Sequence, residues 1–242
     1  MPQFLIQPSQ IEGDRATLTG EESKHLVKVL RHKVGDSVFL SDGAHQYEAV
    51  IETIHPKAVD LRLVERRVLK VSAPSPALAI ALLKHDHLEL VLQKGVELGI
   101  AEFFLFVSER TIPHYGDSVT PKKMARFEKI IKEAAKQTGM VTIPKIHPLL
   151  TFEQLIHKFK DFSGVLLAWE KEEDNSFHSL FQTIDSSRLL VVIGPEGGFP
   201  LKEVTEAEKA GAKGLSLGRQ ILRAETAAIA TLTLCQYELG NI

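Results

Sequence analysis

Leu189-Leu-Val-Val-Ile193 is an unbroken aliphatic run that leads directly into Gly194-Pro-Glu-Gly-Gly-Phe199. A strand with one wet face alternates apolar and polar residues, so a run that is apolar throughout belongs to a strand covered on both faces, as in a parallel sheet. Gly194, Gly197 and Gly198 free the backbone from side-chain constraint where that strand ends. Open α/β sheets bind ligands at such ends. A second segment has the same character: Leu215-Ser-Leu-Gly-Arg-Gln-Ile-Leu-Arg-Ala-Glu-Thr-Ala-Ala228. One glycine turn can serve chain reversal alone. Two of them, the first carrying Glu196 and the second Arg219, Arg223 and Glu225, point to a single ligand site.

The pattern changes at Ser72-Ala-Pro-Ser-Pro76. Before it, Phe4 to Ile6, Ala16 to Leu18, Ser37 to Leu40, Gln46 to Ile51 and Val59 to Val64 read as short strands, with Asp42-Gly43 and His55-Pro56 as turns. One helix interrupts them. Thr19 and Glu22 have the spacing of a capping box, and Leu26, Val29 and Leu30 form its expected apolar stripe. Residues 1–72 are therefore expected to form a small β domain of barrel type. After the break, strands alternate with helices, the pattern of a largely parallel sheet. The strands are Leu78 to Leu83, Phe103 to Val107, Val165 to Ala168, Leu189 to Ile193 and Gly214 to Leu217. The helices are Leu88 to Leu98 ending at Gly99, Pro121 to Gln137, one begun by Thr151 with Gln154, and Glu225 to Leu239. Residues 73–242 thus read as an α/β domain.

A net charge of -2 gives no global attraction to nucleic acid, so RNA binding needs a local basic patch. Two exist. Lys24, Lys28 and Arg31, followed by His32 and Lys33, recur at helical spacing, and Arg62, Arg66, Arg67 and Lys70 lie near the break. Residues 1–10 lack a secretory signal, and no run approaches the roughly 18 apolar residues of a membrane span, which places the expectation in the cytoplasm. Cys235, alone in the chain, reads as a buried, inert thiol.

The familiar phosphate cradles are missing: neither G-x-x-x-x-G-K-[ST] nor a G-x-G-x-x-G after the first α/β strand occurs. No G-x-S-x-G elbow is present either. His85 and His87, beside Asp86, lack a third ligand cluster and read as solvated loop residues, with no metal expected. Trp169 and Glu170 stand at the end of a strand, on the same edge as the glycine turns.

The segments His25-Leu-Val-Lys-Val-Leu-Arg31, Gln93-Lys-Gly-Val-Glu-Leu-Gly99, Ser108-Glu-Arg110, Ile193 to Phe199 and Leu217 to Ala227 together resemble the RsmE-type enzymes of the SPOUT superfamily. The resemblance covers the whole chain. It implies transfer of a methyl group from S-adenosylmethionine to N3 of a uridine in bacterial 16S ribosomal RNA, by a homodimer. It also implies a PUA-like RNA-binding barrel followed by an α/β domain threaded as a trefoil knot, a topology that connection rules alone would exclude. The implied cofactor pocket comprises Leu167, Ala168, Trp169 and Glu170; Ile193, Gly194, Pro195, Glu196, Gly197 and Gly198; and Leu217, Gly218, Ile221, Leu222, Arg223 and Ala224. These loops would grip adenine and ribose through backbone groups, so no phosphate cradle is required. For the chemistry, Arg223 or Arg110 would stabilise the uracil anion, and Glu225 or Glu196 would orient the site or take the proton. Lys24, His25, Lys28, Arg31 and Gln137 are the implied RNA contacts. The chain departs from the family pattern at Gln3, Lys136 and Met140, which bears on RNA contacts and leaves the cofactor segments intact.

Overall fold

The computed structural model describes residues 3–68, 74–111, 119–138, 140, 142–173 and 175–242, with the backbone alone described at residue 85. Lys70, Asp174 and the expected domain boundary at residues 72 and 73 lie outside the described residues. The chain divides into two compact units, residues 1–71 with 133–143 and residues 72–132 with 144–242.

In the first unit, β1 (Gln3–Leu5), β2 (Ile11–Glu12), β3 (Arg15–Thr19), β4 (Ser37–Ser41), β5 (His45–Ile54) and β6 (Ala58–Val68) form one sheet in the order β1-β4-β5-β6-β3-β2. Pairing is antiparallel except between β1 and β4. Register shifts at Glu48/Ala49 and Ile51/Thr53 bend the long β5–β6 hairpin. The sheet curls around Phe4, Leu18, Leu26, Val38, Leu40, Ile51 and Leu61, all buried. At the β4–β5 turn, Asp42 accepts from the Tyr47 hydroxyl at 2.7 Å and from the Ala44 and His45 amides at 2.8 and 2.6 Å. Burial opposes its charge, but these hydrogen bonds and that of the His45 ring outweigh it and hold the carboxyl at about 2.

The expected first helix is corrected in two respects. It runs as α1 only over Gly20–Lys24, then widens into a π-type turn over His25–Val29, where the Leu30 amide donates to the His25 carbonyl at 3.0 Å. The wider turn carries the following residues out of α register. Leu26 is buried, while Val29 and Leu30 are 65% and 40% exposed. The capping box does not form. The Thr19 hydroxyl accepts from the Gln10 amide nitrogen at 3.0 Å, and the Glu22 carboxylate pairs with Lys136 at 2.7 Å. Both box partners are engaged elsewhere. The same contact of Glu22 joins α1 to the C-terminal end of the helix Pro121–Thr138 within the first unit.

The second unit is built on parallel strands β7 (Ala77–Ala81), β8 (Glu102–Val107), β9 (Lys145–Ile146), β10 (Leu150–Thr151), β11 (Gly164–Ala168), β12 (Leu189–Ile193) and β13 (Lys213–Leu215). Their order is β10-β8-β7-β12-β11-β13, with β9 on β8. Every residue of β7 and β12 is buried, as a doubly covered strand requires. Its helices are α2 (His85–Glu97), α4 (Phe152–Ile156), α5 (Phe177–Phe181), α6 (Leu201–Lys209) and α7 (Ala224–Glu238), while α3 (Pro121–Thr138) has residues in both units. Gly99 takes the left-handed conformation (φ 75°) just past α2, as a helix stop requires. At α4 the expected capping box forms: the Gln154 amide donates to the Thr151 hydroxyl at 3.2 Å, and the Thr151 amide to the Gln154 side chain at 2.9 Å. Cys235 is fully buried in α7, and desolvation pushes its thiol up to about 12. Among the described residues, no helix is long and apolar enough to cross a membrane, and no cluster of His, Cys, Asp or Glu could hold a metal ion.

Candidate active site at the carboxyl edge of the sheet

β13, β11, β12 and β7 are neighbours, so the segments that follow them emerge side by side at one sheet edge. Between β7 and β12 the chain's strand order reverses, because β7 connects forward to β8 on its other side. Such a reversal opens a crevice at the carboxyl ends. A cavity of about 660 Å³ lies there, lined by Ala168 to Glu170, Ile193 to Phe199, Leu215 and Leu217 to Glu225, together with Lys84, His87 and Ala227.

Each loop is fixed by a different contact. Glu196 accepts the Lys84 amide at 3.0 Å, clasping the β12 loop to the start of α2. The Arg110 guanidinium donates to the Gly197 carbonyl at 3.1 Å. Its own segment is held from below: buried Glu203 accepts from the Ser108 hydroxyl at 2.6 Å and the Glu109 amide at 2.8 Å. Two glycines stand where a side chain would be crowded or strained. Gly198 has φ 68°, and a Cβ there would meet the Glu170 carboxylate at 2.6 Å; a Cβ on Gly194 would meet the Phe199 ring at 2.9 Å. Arg223 is the N-cap of α7, with its carbonyl accepting the Ala227 amide at 2.8 Å, so its exposed side chain starts from a fixed backbone.

Three polar atoms near this cavity are hidden from solvent without a hydrogen-bond partner: Trp169 Nε1, His87 Nδ1 and Glu225 Oε2. Buried polar atoms ordinarily find partners, so Trp169 Nε1 and Glu225 Oε2 mark places where a ligand's polar groups fit, while His87 Nδ1 faces Glu225 Oε1 at 3.1 Å.

Of the expected cofactor residues, all but Leu167 line the cavity; Leu167 is buried in the core beneath it. Glu196, Arg223 and Glu225 line it too, and Arg110 reaches its wall through Gly197. The expected RNA residues lie in the first unit. Lys24, Lys28, Arg31 and Gln137 are exposed, and the His25 ring sits edge-on to Phe4 at 6.0 Å. Only Lys24 of the basic trio is on α-helix; Lys28 is in the π turn, and Arg31 has a left-handed backbone, φ 56°.

His87 corrects the reading of a solvated loop histidine. It lies in the first turn of α2 and lines the cavity, its Nδ1 3.1 Å from Glu225 Oε1. Lys84 was not anticipated as a lining residue, whereas Phe199, Leu215, Gln220 and Ala227 lie within the two segments expected to form the ligand site without having been singled out. Phe199 alone carried a local signal, since a large apolar residue closes the glycine turn and packs in the core.

A parallel α/β sheet with a cavity at its carboxyl edge, on one chain with a separate curled β unit, defines a two-unit protein. Residues 72–236 match the RNA methyltransferase domain family and residues 18–64 the RNA methyltransferase PUA domain family. The chain belongs to the RNA methyltransferase family. It is 32% identical to the ribosomal RNA small subunit methyltransferase E of Bacillus subtilis, over 98% of this chain and 97% of that one. A Legionella pneumophila protein solved with the cofactor SAM bound superposes with TM-score 0.83 at 28% identity, over 97% and 96% of the two chains. The fold is also that of the Neisseria gonorrhoeae ribosomal RNA small subunit methyltransferase E bound to S-adenosyl methionine, TM-score 0.85 at 24% identity, over 98% and 97%.

Proposed function

We propose that the protein uses S-adenosylmethionine to methylate N3 of a specific uridine in bacterial 16S ribosomal RNA, acting in the cytoplasm as a homodimer. Residues 1–72 serve as the RNA-binding module and residues 73–242 as the transferase, whose C-terminal strands and α7 form a trefoil knot. The observation that carries this reading is the convergence of the three strand-end loops on one cavity whose wall holds orphaned polar atoms.

The donor set suits this cofactor. Trp169 Nε1 offers an unused donor, Gly194, Gly197 and Gly198 let the main chain approach closely, and the pocket includes the apolar residues Ile193, Leu217 and Leu222. S-adenosylmethionine supplies an electrophilic methyl on a sulfonium sulfur. The loops 168–170, 193–198 and 217–224 hold and orient it, and positioning contributes most of the rate. N3 of uracil attacks only after losing its imide proton, so the protein must take a proton and stabilise an anion. Arg223, always cationic, is suited to O2 or O4 of the uracil anion, with Arg110 as the other candidate. Glu225 is suited to the proton, because its Oε2 is unengaged, whereas Glu196 Oε1 is occupied by the Lys84 amide. Lys24, His25, Lys28, Arg31 and Gln137 contact the RNA.

Mass spectrometry of ribosomal RNA from a deletion strain tests the assignment. Loss of one N3-methyluridine is expected, and loss of a different mark overturns it. Calorimetry decides between an enzyme and an RNA-binding protein of the same fold, since failure of the folded protein to bind S-adenosylmethionine removes the enzymatic reading.

A further inference from the structure

His87 and Glu225 approach each other across the pair of packed helices α2 and α7, each from the first turn of its helix. Both line the cavity. Nδ1 lies 3.1 Å from Oε1, within attraction, yet Nδ1 is not aligned as a hydrogen-bond donor and Oε2 has no partner at all. The Glu225 side chain is only 12% exposed, the His87 side chain 37%. A carboxylate this secluded has its Oε1 beside an imidazole and its Oε2 free for an N–H brought by something in the cavity. The other charged groups on the wall are Lys84, Glu170, Glu196, Arg219 and Arg223, all exposed.

We propose that His87 is a positioning residue for methyl transfer: it holds Oε1 of Glu225 so that Oε2 is presented to the uridine N3–H. This rests on the reading of the site as a uridine-N3 methyltransferase. The step balances within the assigned reaction. The N3–H bond breaks and its proton passes to Glu225 Oε2; the electron pair left on N3 forms the bond to the methyl carbon; and the pair of the breaking S–C bond stays on sulfur. His87 exchanges no electrons and touches no reacting atom. It fixes which carboxylate oxygen faces the base, and the incoming N–H gives the orphaned oxygen its partner.

The test uses the full-length protein with ribosomal substrate. Glu225→Gln is expected to lower kcat by about 10²–10⁴, the usual share of a general base. His87→Ala is expected to lower kcat about 10- to 100-fold while the Kd for S-adenosylmethionine and the KM for RNA stay within about twofold, on the scale of a lost orienting contact. His87→Asn, whose amide nitrogen falls near the Nδ1 position, is expected to recover kcat to within about fivefold of the parent, because the amide restores a nitrogen beside Oε1. A further readout needs no turnover. In the cofactor-free protein, the ¹⁵N signals of the His87 ring, identified by their loss in His87→Ala, are expected to change tautomer balance in Glu225→Gln. The proposal is overturned if His87→Ala matches the parent in kcat, if the Asn variant falls as far as the Ala variant, or if the ring signals ignore Glu225→Gln. The parent's own cofactor binding and product test the underlying assignment separately.

Discussion

At the amino edge of the parallel sheet, Glu102 lies 2.7 Å from the His147 ring and accepts from Arg188 at 3.3 Å. His147 stacks on Phe104 at 4.1 Å, and Arg188 covers the Phe162 ring at 4.9 Å. Ser163 accepts the Arg188 amide at 2.8 Å and donates to the Asp185 carbonyl at 3.0 Å. Each of these polar groups is engaged within the protein. The carboxyl edge of the same strands leaves Trp169 Nε1, His87 Nδ1 and Glu225 Oε2 without hydrogen-bond partners around an open volume. Unmade hydrogen bonds cost free energy, so the fold tolerates them where a bound molecule completes them. The satisfied edge has the character of scaffold, and the unsatisfied edge is the candidate site.

That contrast breaks most sharply at Arg223. Arg223→Ala is expected to cut methyl transfer by about 10²–10³, the cost of losing one anion-stabilising donor, with the melting curve preserved; full activity in a folded variant would remove Arg223 from the site. Gly198→Ala comes next. It forces a side chain into the left-handed region against the Glu170 carboxylate, so a stability loss of about 2 kcal/mol and weaker cofactor binding are expected together. Denaturant melts and calorimetry check both. Asp42, a satisfied polar group outside the parallel sheet, gives a pH test. Its carboxyl is depressed to about 2 from the usual 3.8, so its contribution is complete above about 4 and disappears as pH falls through 2. Asp42→Asn is therefore expected to cost about 2 kcal/mol at pH 7, with the gap from the parent closing toward pH 2. Glu102→Gln, at the amino edge, is expected to cost about 1 kcal/mol of stability and leave cofactor affinity unchanged. A large loss of affinity there would erase the distinction between the edges. Cys235 marks the smallest effect: its buried thiol is expected to resist a soluble thiol reagent until the protein unfolds.

Strand positions were legible because their signals are local. Leu189 to Ile193 announces burial by composition alone, and the glycines after it announce a turn. Their sharing of a cavity was legible as well, since the two glycine turns carry charged residues suited to one site. The His87–Glu225 approach was not, because it depends on how α2 and α7 pack and leaves no mark in either segment. The same reason explains the lost capping box at Thr19. Glu22 had the right spacing, but Lys136, far along the chain, takes its carboxylate. The π turn at His25 escaped because Leu26, Val29 and Leu30 fit an ordinary helical stripe. Helix α6 was also missed, although Pro200 at its N-cap with Val204 and Ala207 buried on one side is a readable amphipathic start.

Eight of the residues lining the cavity are glycine, alanine or proline, so a part of its wall presents main chain rather than side chain. Conventional alanine scanning replaces side chains and leaves every peptide amide where it was. Such a scan would leave that part of the wall unprobed. Replacing single amides by esters in the 193–198 and 217–224 segments would map this surface directly, and drift in the side chains there would say little about which ligand is held.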